Sequence, residues 1–98
     1  MPGLEGQDTT PVRRTATIVN KRGLHARAAA KLVKLAANFD AEIRVVKNGS
    51  VVNGRSIMGL MMLAAATGTV IEIRAQGREA ERAADAVCAL VTAGFDED

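Results

Sequence analysis

From Arg14 to Asn20 the chain reads RTATIVN, a β-branched run whose alternation sets Ala16 and Ile18 on one side, the pattern of a half-buried strand. Lys21-Arg22-Gly23 breaks that run, and the period then changes. Between His25 and Asn38, Leu24, Ala29, Leu32, Val33 and Ala36 recur at helical spacing while Lys31 and Lys34 turn away, which predicts an amphipathic helix with a basic outer face. Ala41 to Lys47 alternates again, Ile43 and Val45 against Glu42 and Arg44, and Asn48-Gly49 is a tight-turn signal before Ser50-Val51-Val52. These residues form a hairpin. Ser56 is suited to N-cap a short helical stretch that Thr67-Gly68 closes. In that stretch Leu60, Leu63 and Ala64 share one face and Met58, Met61 and Met62 another. Val70 to Ala75 is a fourth strand, Gln76-Gly77 a turn, and Glu79 to Ala93 a last helix with Ala80, Ala83, Val87, Leu90 and Val91 inward. The order is βαββαβα, and its short connections and single hairpin favour an antiparallel sheet with the helices on one face, an α+β fold.

Residues 1–12 are polar, hold Pro2, Gly3, Gly6 and Pro11 and show no hydrophobic period, so they read as a disordered leader to a module over residues 13–94, with an acidic tail over 95–98. A chain of 98 residues, 48% hydrophobic and 24% charged, has the composition of one small globular domain. The longest apolar run, Ile57 to Ala66, falls well short of the ~20 residues of a membrane span, and the start lacks the basic and apolar regions of a signal peptide. A cytoplasmic protein is expected. Cys88 is the one cysteine and is most simply a core thiol, so neither a disulfide nor a metal or redox pair is expected, and no cofactor. Charge is uneven: Arg13 to Arg55 holds ten Lys or Arg against two acids, although the whole chain carries only +2. A basic half either steers an acidic partner or is a solvated face.

The chemistry concentrates at His25, the only histidine, which stands between a glycine break and a helix start with Arg27 on the same turn. The first N–H groups of a helix are unpaired and its dipole adds positive potential, so an anion is favoured there, and an Arg fork can bind phosphate oxygens in pairs. A neutral imidazole has a free ring nitrogen that can attack phosphorus. From spacing alone, His25 is either such a nucleophile or, more plainly, a cap or a surface residue.

Three strings in order carry a resemblance that bears on His25. G-L-H-A-R-A-A-A from Gly23, then K-L-V-K from Lys31, then N-G-R-S-I-M-G-L-M-M-L from Asn53 resemble, in register and within a βαββαβα pattern, the HPr family of histidine phosphocarriers of the bacterial phosphotransferase system. The resemblance covers roughly residues 13 to 94. It implies an open-faced β-sandwich, four antiparallel strands with three helices on one face. It implies that His25 accepts a phosphoryl group at Nδ1 from phosphoenolpyruvate-charged Enzyme I and passes it to an Enzyme II A-type acceptor, for sugar uptake or a nitrogen-type regulatory relay. Arg27 would assist the phosphoryl group, and Ser56 would be the target of HPr kinase/phosphorylase where that enzyme exists. Such a protein is a carrier rather than a stand-alone enzyme, and a monomer serves it best. Ala28 stands where many members have proline, a difference expected to loosen the helix start by ~0.4–1 kcal/mol at most. Lys31 and Lys34, and an apolar patch of Ile57, Met58 and Met61, are the expected docking residues; the alternative is that the methionines are buried.

The rival classes are a nucleic-acid-binding module and a regulatory protein that carries no phosphate. A small nucleic-acid-binding module would need exposed aromatic residues on its sheet, and the chain has only Phe39 and Phe95, neither in a predicted strand. An HPr-like regulatory protein that carries no phosphate would not need both His25 and Arg27. Gly49 to Ser56 matches a phosphate-binding loop with Arg55 in place of lysine, but Val51-Val52 reads as a strand in its middle.

Overall fold

The computed structural model describes residues 10–97; most of the expected leader, residues 1–9, lies outside the described residues, as does Asp98. Strand β1 (Val12–Thr17) leads through a loop to helix α1 (Ala26–Ala36), and β2 (Glu42–Lys47) and β3 (Ser50–Asn53) follow as a hairpin. Helix α2 (Ile57–Met62), strand β4 (Val70–Gln76), helix α3 (Ala80–Thr92) and a 3₁₀ turn at Gly94–Asp96 complete the order. The strands form one antiparallel sheet in the order β1-β4-β2-β3. The expected α+β class and open-faced arrangement are therefore present.

Alternation explains which face is covered. Ala16, Ile43, Val45, Ile71, Ile73 and Ala75 point to one side of the sheet and pack with Leu32, Ala36, Ala83, Val87 and Val91 from α1 and α3 in a single core. Arg13, Thr15, Thr17, Glu42 and Arg44 occupy the other side and stay exposed. At the hairpin, Asn48 and Gly49 both take left-handed backbone, φ 48° and 83°, as a two-residue type I′ turn requires.

Element ends differ from the sequence reading where long-range pairing decides them. β1 begins at Val12, inside the expected leader, because Val12 pairs with Ala75 of β4. It ends at Thr17, after which Ile18 N–H donates to the Thr69 carbonyl at 2.8 Å in the loop before β4. Helix α2 stops at Met62 rather than running toward Thr67, and Ala64 is exposed with φ 52°, so it does not share the buried face of Leu60 and Leu63. Lys47 Nζ donates to the carbonyls of Leu63 and Ala64 at 3.0 and 3.1 Å, satisfying the chain end of α2 with a cation. The C-terminal segment is also more than a tail: Phe95 is fully buried in the core. Cys88 packs against that core partly buried, and burial pushes its thiol pKa up.

Candidate functional site

Gly23 prepares the loop before α1. Its φ of 65° is left-handed, and a Cβ there would lie 2.4 Å from the Ala65 carbonyl oxygen, so only glycine lets the two segments meet. They are joined at the next residue, where Leu24 N–H donates to Ala65 O at 2.9 Å. Chain direction is thus fixed one residue before His25, which is the N-cap of α1 with extended backbone. Its side chain makes no capping bond to the helix, so the cap, one of the two plainer readings, is absent, and its carbonyl accepts from Ala29 N–H at 2.8 Å.

The ring is held from the far end of the chain. His25 Nε2 contacts Glu97 Oε2, and both side chains are only 18% exposed. Asn20, the one buried polar residue among those described, donates from Nδ2 to Glu97 Oε1 and to the Gly23 carbonyl, each at 2.9 Å. Hydrogen bonds from Asn20 and then from His25 hold the Glu97 carboxyl below the usual carboxylate range. To reach this position the chain turns back through Phe95 and Asp96, whose φ values of 56° and 59° are left-handed. Such backbone costs L-residues about 1–2 kcal/mol each and persists only where the surroundings enforce it. Here the buried Phe95 ring and Lys31, whose Nζ donates to the Phe95 carbonyl at 2.6 Å, enforce it.

This corrects one expectation: Lys31 is partly buried and committed to the C-terminal turn, not a free outward cation. Lys34 is exposed as expected. Arg27 is exposed and lines, with Lys21, Arg22, Lys31, Asp96 and Glu97, a cleft of about 400 Å³. On the other side His25 borders a shallower groove with Arg22, Leu24 and Ala64 to Ala66. Helix α2 packs on α1 next to that groove. Gly59 N–H donates to Ser56 Oγ at 2.9 Å, the expected N-cap. Met58 is 74% exposed, Met61 44% and Ile57 40%, so the patch is on the surface and not buried.

The sequence alone does not single out Asn20 or Glu97. A strand-end Asn and a glutamate in an acidic terminus carry no local signal, since they meet only after closure of a loop spanning most of the chain.

An open sheet that presents one imidazole at a helix start, with an arginine on the same turn and a cationic cleft beside it, defines a protein built to hold a phosphoryl group on histidine. The family model for the PTS HPr component phosphorylation site matches residues 12–93. The phosphocarrier protein NPr of Shewanella violacea is 49% identical over 88 residues, 90% of this chain and 97% of its own length. The crystal structure of HPr-C-His from Thermoanaerobacter tengcongensis superposes with a TM-score of 0.84 at 40% identity, covering 89% of this chain and 98% of its own. An HPr dimer from the same organism gives a TM-score of 0.70 at 42% identity, covering 82% of this chain and 92% of its own. The chain belongs to the HPr family of phosphocarrier proteins of the phosphotransferase system, as the resemblance implied.

Proposed function

We infer that this chain takes a phosphoryl group onto Nδ1 of His25 from phosphoenolpyruvate-charged Enzyme I and delivers it to an Enzyme II A-type protein. The observation that carries this reading is the placement of the ring: Nε2 is engaged by Glu97, while the helix it caps makes no demand on the side chain. Nδ1 is the nitrogen left to attack phosphorus. Arg27, exposed on the first turn of α1, supplies a guanidinium to the phosphoryl oxygens, and the N–H groups of that turn add to the anion's stabilisation. No external base is needed, because the neutral imidazole already carries the lone pair.

Docking falls to the exposed Ile57, Met58 and Met61 on α2, with Lys34 steering an acidic partner at longer range. Ser56 at the head of that patch is a site where HPr kinase/phosphorylase would place about −1.5 to −2 charges beside the apolar contact. The carrier acts in the cytoplasm and as a monomer, since donor and acceptor must use one face in turn. The test is incubation of the purified protein with Enzyme I and labelled phosphoenolpyruvate. Acid-labile label is expected on the native chain and none on His25→Ala with unchanged circular dichroism; label on the variant overturns the assignment. Sedimentation of the same sample checks the monomer.

A further inference from the structure

Beyond leaving Nδ1 free, the Glu97 contact bears on the proton of the His25 ring. We propose that Glu97 is a positioning residue for phosphoryl transfer, its carboxylate keeping the proton on Nε2 of His25 while Nδ1 gains and gives up the phosphoryl group. This rests on the reading of His25 as the phosphoryl acceptor.

Three features show that the carboxylate is placed rather than trailing. Both of its oxygens are engaged, Oε1 by the amide of buried Asn20 and Oε2 by the ring. Asn20 in turn uses its second hydrogen on the Gly23 carbonyl, so carboxylate and glycine loop are tied to one side chain. The two left-handed residues that return the chain, Phe95 and Asp96, are anchored by a buried ring and by the Lys31 ammonium. A solvated terminus would have no reason to hold them.

The consequence for the reaction follows from electron counting. A carboxylate accepts from an N–H, so Oε2 against Nε2 selects the tautomer with the proton on Nε2 and the lone pair on Nδ1. When the Nδ1 lone pair forms the P–N bond, the bond from phosphorus to the donor nitrogen of Enzyme I breaks and its electron pair stays with the donor. The ring then carries one positive charge, with its Nε2 proton unmoved and facing Glu97. Onward transfer reverses this: the P–N electron pair returns to the ring, and again no proton leaves it. A carboxylate that keeps the phosphorylated ring protonated therefore keeps it a good leaving group. The other charged groups lining the cleft that Glu97 borders are Arg27 and Lys31 from α1, Lys21 and Arg22 from the preceding loop, and Asp96, and Arg22 also borders the groove of His25. The cations oppose a ring charge, so Glu97 is the group set against them.

The experiment compares the full-length native chain with Glu97→Gln and Glu97→Ala, each phosphorylated by Enzyme I and phosphoenolpyruvate. Loss of phosphate from the isolated phosphoprotein is followed across the neutral and alkaline range, beside ring-nitrogen NMR of the same samples. The expected result is that the phosphoryl group becomes resistant to hydrolysis at a lower pH in both variants than in the native chain, since the carboxylate that favours the ring cation is gone. The Nε2 proton signal of the phosphorylated ring should disappear over the same lower range. Circular dichroism should be unchanged, because Phe95 keeps the turn's buried anchor. Identical pH profiles and identical Nε2 signals in all three proteins overturn the role of Glu97 while leaving His25 as acceptor. Absence of label on His25 in the native chain overturns the phosphoryl-acceptor reading itself, and this inference with it.

Discussion

Replacing Gly23 by alanine separates two costs that the site loop avoids. The first is conformational: at φ 65° an L-residue stands in left-handed backbone, a penalty of about 1–2 kcal/mol. The second is steric. The new Cβ would lie 2.4 Å from the Ala65 oxygen and 3.0 Å from the Ala66 Cα, both backbone atoms that no rotamer change can move aside. Forced overpacking of this kind costs typically about 1–3 kcal/mol, which brings the sum to about 2–5 kcal/mol. That is a large part of the ~5–15 kcal/mol available to a small domain. Gly49 provides the internal control, since its φ is 83° but a Cβ there meets nothing within 4 Å. Gly49→Ala should therefore carry the conformational cost alone, and the gain from a stiffer unfolded chain is common to both and cancels. Equilibrium urea unfolding should place Gly23→Ala below Gly49→Ala by about 1–3 kcal/mol, with a melting temperature lower by about 4–8 °C for each kcal/mol of that difference. Because Leu24 N–H donates to Ala65 O immediately before His25, the folded fraction of Gly23→Ala should also transfer phosphate more slowly at saturating Enzyme I. Equal urea midpoints for the two variants would refute the close-contact argument.

Arg27→Ala should lower the maximal transfer rate even at saturating Enzyme I, whereas Lys34→Ala should weaken association at low salt and leave that rate unchanged; stopped-flow transfer at two ionic strengths distinguishes them. Ser56→Ala removes the acceptor for Gly59 N–H and should cost about 1 kcal/mol in urea unfolding, while Ser56→Asp should recover most of the cap. If Ser56 works as an inhibitory switch, the Ser56-phosphorylated protein should keep its circular dichroism and lose Enzyme I-dependent rate; equal rates would reject the switch. The carboxyl of Glu97 is held below its ordinary range, so the stability it contributes is present above that range and is lost as pH falls through the folded value. Native and Glu97→Gln unfolding free energies should therefore differ at neutral pH and converge in acid.

The elements of this protein are legible in its sequence because their signals are local. Alternation of Ile43 and Val45 with Glu42 and Arg44, the Asn48-Gly49 turn and the Ser56 cap each depend on residues within a few positions, and each appears as read. His25 and Arg27 are legible for the same reason, one helix start and one turn. What the sequence does not carry is who meets whom after closure. Val12 belongs to a strand only because β4 lies beside it. Lys31 sits on the basic face of α1, yet its ammonium is taken by the Phe95 carbonyl from the other end of the chain. Phe95 looks like part of an acidic tail until the sheet and α3 create the space that buries it. The same packing turns Asp96 and Glu97 back toward α1, and it alone brings a carboxylate to the histidine ring. Local periodicity encodes which face a residue takes, whereas contacts across more than seventy positions exist only once the core has fixed the relative placement of α1 and the C-terminus.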